Sequence, residues 1–125
     1  MAEVPLAYII DVDQRLVTIT GEYSDATEWK DVLARIHHDP RRQPGFAFLR
    51  DLRNATTPVG AATVVEIATV VGRFWPLLQP ARAAILTRSE EDAPALVAQA
   101  LADAEGTPLR MFTNYNEAVT WLAQG

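Results

Sequence analysis

Residues 59 to 78 read VGAATVVEIATVVGRFWPLL, and whether this stretch crosses a membrane or joins two strands decides the fold. Its length matches the roughly 20 residues that span a bilayer. It nevertheless holds Glu66, Gly72, Arg73 and Pro76. It also falls between two runs with strand character, Phe46 to Leu52 and Ala81 to Thr87. The "AAIL" centre of the second run is apolar at consecutive positions, as expected of a strand covered on both faces. The stretch is therefore read as the helix that connects two paired strands, and no membrane span is expected. Thr63, Glu66, Thr69 and Arg73 recur every three or four residues and form one narrow polar stripe. The rest of the perimeter is apolar, which is wider than a helix resting on a sheet needs. Phe74 and Trp75, being adjacent, point about 100° apart, so one face cannot hide both.

Outward from this helix, the periodicity switches repeatedly between strand and helix. Ala7 to Val12 and Leu16 to Thr20 are β-rich runs joined by a tight turn at Asp13 and Gln14, a β-hairpin pattern. Ser24 and Asp25 offer helix caps, and Asp25 with Glu28 has capping-box spacing. Trp29, Val32, Leu33 and Ile36 then mark one face of an amphipathic helix. Pro40, Pro44 and Gly45 make the following segment a loop. Pro58 suits the first turn of the long helix, with Thr57 as its cap, and Pro76 should kink or finish it.

Ser89 is expected to cap a third helix whose first turn is acidic, with Leu96, Val97, Ala100, Leu101 and Ala104 turned inward. Gly106 stops it. Leu109 to Phe112 is a fifth strand. Asn114 and Glu117 open a last helix with Ala118, Val119, Trp121 and Leu122 inward. The expected order is ββαβαβαβα. This is an α/β domain over residues 1–125 with a mixed, mostly parallel five-stranded sheet and four helices.

Composition bounds the function. The 125 residues are 49% hydrophobic and 22% charged, ordinary values for a globular chain that can bury its own core. A formal net charge of −5 disfavours broad nucleic-acid binding. No cysteine is present, which excludes disulfides, thiol catalysis and cysteine-ligated metal. With no basic-then-apolar leader at the N-terminus, this leads to the expectation of a cytoplasmic protein.

Few side chains nominate chemistry. His37 and His38 are adjacent and diverge, unlike the i, i+4 pairs of helical metal sites, and Arg41 and Arg42 oppose a cation, so no metal is expected. Arg35, Arg41, Arg42, Arg50 and Arg53 concentrate positive charge, read as a solvated face with an anion site as the alternative. Asp51, Arg53, Asn54, Thr56 and Thr57 gather after the third strand, at the sheet edge where open α/β folds bind ligands. The competing reading is local, with Asp51 and Asn54 shaping a turn. Ser24, Ser89 and the two histidines form no recognisable triad and no Gly-x-Ser-x-Gly elbow exists, so no catalytic residue and no cofactor are assigned.

The hairpin YIIDVDQRLVTITGEYS, the segment GFAFLRDLRNAT, the strand ARAAILT and the ending LRMFTNYNEAVTWL together resemble the SpoIIAA-like, or STAS-type, domains. The likeness is to small stand-alone bacterial members related to lipid-binding CRAL-TRIO folds. The resemblance implies a compact, generally non-enzymatic domain. Its best-known relatives, the anti-sigma-factor antagonists, bind a kinase-like partner and are switched by phosphorylation at an Asp-Ser pair near the second helix. Asp51-Leu52 matches the family's strand-ending Asp-Leu. The Asp-Ser pair is missing, and Thr56 and Thr57 are the nearest hydroxyls.

Together these observations lead to the expectation of a non-catalytic regulatory or protein-interaction domain, a homodimer, docking through the second helix and the loop before it. Val71, Phe74, Trp75 and Leu78 are the candidate contacts. The alternative is a carrier of a lipid or small apolar molecule.

Overall fold

The computed structural model describes residues 5–22, 25–55 and 59–124. In chain order the elements are β1 (Ala7–Asp11), β2 (Leu16–Thr20), α1 (Ala26–His37), β3 (Ala47–Asp51), α2 (Ala61–Leu78), β4 (Ala83–Leu86), α3 (Ala93–Glu105), β5 (Leu109–Phe112) and α4 (Tyr115–Ala123). The order is the one the sequence predicts. The five strands lie side by side as β1-β2-β3-β4-β5. β1 pairs antiparallel with β2, and each later pair is parallel.

This strand order explains the apolar breadth of α2. A strand–helix–strand connection between parallel strands is right-handed almost without exception. Three such connections made in the same direction across the sheet place α1, α2 and α3 on one face. α2 is the middle helix and packs against α1 on one flank and α3 on the other. α4 follows the last strand and packs on β3, β4 and β5 instead.

The strands sort their side chains accordingly. Val17, Ile19 and Phe48 join a core cluster with Trp29, Val32, Leu33 and Ile36 of α1. The alternate residues Leu16, Ala47, Leu49, Ala84 and Leu86 join Ala118 and Leu122 of α4. Ile36, Leu49 and Leu86 are fully buried, each worth about 1.5–3 kcal/mol relative to exposure.

Local chemistry sets the ends of the elements. In the hairpin, the Val12 carbonyl accepts from Arg15 N, the Asp11 carboxylate accepts from Gln14 N, and Arg15 is left-handed at φ 55°. β1 thus stops at Asp11 and Val12 belongs to the turn. Asp25 caps α1 by accepting from Glu28 N, as its spacing indicates. The Glu28 carboxylate accepts from Leu6 N at 2.8 Å, tying the start of the helix to the entry of β1. Ser24 lies outside the described residues.

Three expectations about helix ends and faces need correction. The cap of α2 is Gly60, in extended conformation and without a side-chain hydrogen bond, and not Thr57. Thr56, Thr57 and Pro58 lie outside the described residues. Asp92, accepting from Ala95 N, caps α3, while Ser89 accepts from Glu91 N in the turn before it. The buried residues of α3 are Ala95 and Ala102, and Leu96, Ala100 and Ala104 are exposed.

Pro76 does not end α2, which continues to Leu78. Gln79 then closes it in left-handed conformation, its N–H donating to the Trp75 carbonyl. The many β-branched residues of α2 are modest helix formers, so its helicity rests on packing more than on propensity.

Candidate functional site

α2 runs over the sheet and roofs an apolar cavity of about 730 Å³ that is partly open to solvent, within the range of small-molecule sites. Its roof is Val64, Ile67, Val71, Trp75 and Leu78 of α2. One side is Ala95, Ala98 and Ala102 of α3, and the other is Trp29 and Leu33 of α1. The floor is Ile19, Phe48, Ile85 and Leu109, the inward row of four neighbouring strands. The alanines explain the space. They recur at i, i+3 and i+7, so much of the α3 face toward the cavity carries only methyl groups, with Leu101 the larger apolar residue beside them. A larger residue there would fill the gap between α3 and α2.

Of the four residues nominated on α2, Val71, Trp75 and Leu78 line this cavity. Phe74 does not line it; it packs against the cluster that contains Leu33 and Ile36. Phe74 and Trp75 are both half-buried and both pack against that cluster, and Trp75 lines the cavity as well. Only Val64 and Leu78 of α2 are buried; the rest of its apolar residues are half-buried or exposed. Among the described residues α2 is the one helix long and apolar enough to cross a membrane. In this fold it is the connection between two adjacent parallel strands.

Two polar side chains are buried in the cavity wall. Arg50 follows Phe48 by two residues in β3 and so points to the same face. Its Nη1 donates to the carbonyls of Ile19 and Asp51, and its Nη2 to those of Gly21 and Glu22, at 3.1–3.4 Å. The guanidinium lies 5.3 Å from the centre of the Trp29 ring, a cation–π distance. Trp29 is 7% exposed, and its Nε1–H has no hydrogen-bond partner among the described residues. The remaining polar lining, Thr69, Arg73, Glu105 and Thr107, is exposed or half-buried and belongs to the rim.

The loop candidates are arranged differently. The Asp51 carboxylate is clasped by Arg53: the backbone N–H donates to Oδ1 at 3.1 Å, Nε to Oδ1 at 3.0 Å and Nη2 to Oδ2 at 2.8 Å. These bonds hold the carboxyl below its ordinary range, against the opposing pull of burial. The Arg53 guanidinium also lies 5.5 Å from the Tyr115 ring. Asn54 is exposed in the turn, and Thr56 and Thr57 are outside the described residues. The Asp51–Arg53 pair satisfies itself and leaves no convergent group pointed at a ligand.

The arginine-rich stretch does not form one solvated face. Arg42 is buried and donates to the carbonyls of Ile36 and Leu78, and burial lowers its pKa. Arg41 clasps Asp39, whose Oδ2 also accepts from the Tyr8 hydroxyl. The His37 and His38 rings lie 4.9 Å apart, and no group of three metal-binding side chains occurs among the described residues. A second recess of about 420 Å³ beside α4 is bordered by Arg110, Asn116, Glu117, Thr120, Trp121 and Gln124. All of these but Trp121 are exposed, so the recess is a surface feature.

Sequence reasoning missed Trp29, Arg50 and the alanine face as wall residues. An arginine two places after a buried phenylalanine in a central strand is a signal that was available. The orphaned indole N–H was not.

No family model matches the chain, and no curated protein matches it. A solved structure does: an uncharacterised protein of the DUF3478 family from Shewanella loihica PV-4, described as having a SpoIIAA-like fold. The two are 12% identical, with a TM-score of 0.68 over 98% of this chain and 97% of the other. With the five-stranded mixed sheet and four helices above, this assigns the chain the SpoIIAA-like fold.

Proposed function

We propose that the chain is a non-catalytic SpoIIAA-like domain that holds a small apolar molecule beneath α2. The observation that carries this reading is the roofed cavity, which has apolar residues on every wall and is large enough for a drug-sized or acyl-sized ligand. A concave, mostly apolar space of this size is the usual form of a small-molecule site, which favours an occupant. Three of the four residues first nominated as interface or ligand contacts line it. The carrier role therefore takes precedence over protein docking.

A second reading concerns the outward side of α2. Leu77 is 52% exposed there and does not line the cavity, and a second copy of the chain would cover it. The homodimer expected from the sequence uses Val71, Phe74, Trp75 and Leu78; this reading moves the contact to Leu77, away from the cavity lining.

Native mass spectrometry of the purified protein tests both. The carrier reading expects a chain with a co-purified apolar mass, or one that takes up octane when exposed to it. A chain that stays bare in both conditions contradicts it. A dimer that becomes monomeric on Leu77→Glu supports the second reading; a monomer at all concentrations removes it.

A further inference from the structure

We infer that the guest beneath α2 is an amphiphile whose anionic head, a carboxylate or a phosphate, sits at the cavity mouth against Arg73. This rests on the cavity reading above and adds the guest's polarity and orientation to it.

The lining residues show where the cavity opens. None of those from the strands or α1 is exposed. The exposed ones are Val65, Thr69, Gly72, Arg73 and Pro76 of α2 and Glu105 of α3. Within α2 they recur every three or four residues and so form one edge of the helix. Glu105 is the last residue of α3, which packs against α2. The mouth is therefore the seam between these two helices.

The two ends of the space differ. α2 and α3 each join a strand to the next parallel strand, so both run against the strands. Beneath their N-terminal ends the lining is Leu52, Val64, Ile85 and Ala95, all buried hydrocarbon. Arg50 also borders that end, but its Nη1 and Nη2 donors are directed to four main-chain carbonyls. The charges of the mouth, Arg73 and Glu105, lie toward the C-terminal ends. An apolar tail fits the first end and a polar head the second.

Arg73 gives the head its sign. Arg41, Arg42, Arg53 and Arg82 each donate to a carboxylate or a carbonyl. Arg73 has no hydrogen bond or ion pair among the described residues, and none with Glu105. Its stem can lie along the apolar rim while the guanidinium stays at the water boundary. That group is a fixed fork of donors matched to carboxylate and phosphate oxygens. A Cβ on the neighbouring Gly72 would meet nothing within 4 Å, so the space beside Arg73 is open to a head group. Glu105 repels an anion, which sets the head on the α2 side of the seam.

Four eight-carbon probes test this by titration calorimetry: octanoate, octyl phosphate, 1-octanol and octylammonium. The informative quantity is how each affinity changes on Arg73→Gln. The expected result is a loss of about three- to tenfold for octanoate, octyl phosphate or both, between an exposed ion pair and a buried charge-assisted bond, with 1-octanol unchanged within about twofold. Loss for octanoate identifies a carboxylate guest, and loss for octyl phosphate alone a phosphate monoester. Equal changes for the anions and 1-octanol would overturn the inference and leave the cavity reading standing. A loss confined to octylammonium on Glu105→Gln would overturn it in favour of a cationic head. Failure of every probe to bind the unaltered protein would overturn both.

Should Arg73→Gln fail to fold, the unaltered protein supplies the second measurement. Salt raised from about 20 mM to about 500 mM screens exposed charges. Octanoate or octyl phosphate held by Arg73 should then bind more weakly relative to 1-octanol. An anion that met no local cation would instead be helped, because salt screens the chain's net charge of −5. Anion binding that salt strengthens or leaves unchanged would overturn the inference.

Discussion

Arg42 Nη1 donates to the Leu78 carbonyl at 2.8 Å, and in the same buried side chain Nε donates to the Ile36 carbonyl at 3.3 Å. One guanidinium therefore ties the C-terminal ends of α1 and α2 together. Carbonyls in the last turn of a helix lack partners within it, and the negative end of the helix dipole favours a cation. This arginine holds the roof helix at the end where Pro76 loosens its ladder.

Arg42→Met keeps much of the packing volume and removes both bonds. It is expected to destabilise the protein by about 2–3 kcal/mol, the range for bonds to a charged group lost from a buried site. Urea unfolding measures this. A change under about 0.5 kcal/mol would show that the link is incidental.

Gly21 has φ 106°, and a Cβ built on it would stand 2.2 Å from the Pro5 carbonyl oxygen. Both facts require glycine where β2 passes the entry to β1. Gly21→Ala is expected to lower stability by about 1–3 kcal/mol or more from backbone strain alone, read as a lower urea midpoint with an unchanged slope. An unchanged midpoint would contradict the close approach.

Asp51 gives a pH dependence with a definite sign. Hydrogen bonds from Arg53, its largest influence, lower the carboxyl from an ordinary 3.8 in the folded chain. A group whose folded pKa is depressed contributes stability that is present above its unfolded pKa and lost as pH falls through its folded value. The Asp51 contribution should therefore persist through mild acid and fade only below about pH 4. It is expected to be small, because the pair is largely solvent-screened. A carbon-13 NMR titration of the Asp51 carboxyl should give a midpoint below 3.8, returning toward it in Arg53→Ala. A midpoint at or above 3.8 in the unaltered chain would contradict the clasp.

The element order was legible in the sequence because the hydrophobic period changes at each junction and because Asp25 and Asn114 are good caps in plain view. The inner face of α3 was not. Its cavity side combines Ala95, Ala98 and Ala102 with Leu101, and alanine occupies its exposed positions too, so pattern alone caught Leu101 but also pointed to Leu96, which is 47% exposed. The breadth of α2's apolar surface was legible, but not its destination. Whether Trp75 meets a partner or a void depends on how small the facing side chains of α3 are, and that pairing exists only after the strands are in order. Arg50 was grouped with the surface arginines because charge in a list carries no direction; its place in the pleat gives it one.

The central claim is a cavity under α2 that accepts an apolar guest, and the most direct measurement is the melting temperature with and without octane in the unaltered chain and in Ala98→Leu, which extends a side chain from α3 into the space. A guest that binds only the folded state raises the melting temperature by mass action. Octane should raise that of the unaltered protein and leave that of Ala98→Leu unmoved, while the variant alone melts no lower than the parent because the added methyl groups fill existing space. An equal rise in both proteins, or none in either, would mean that no such cavity receives the guest.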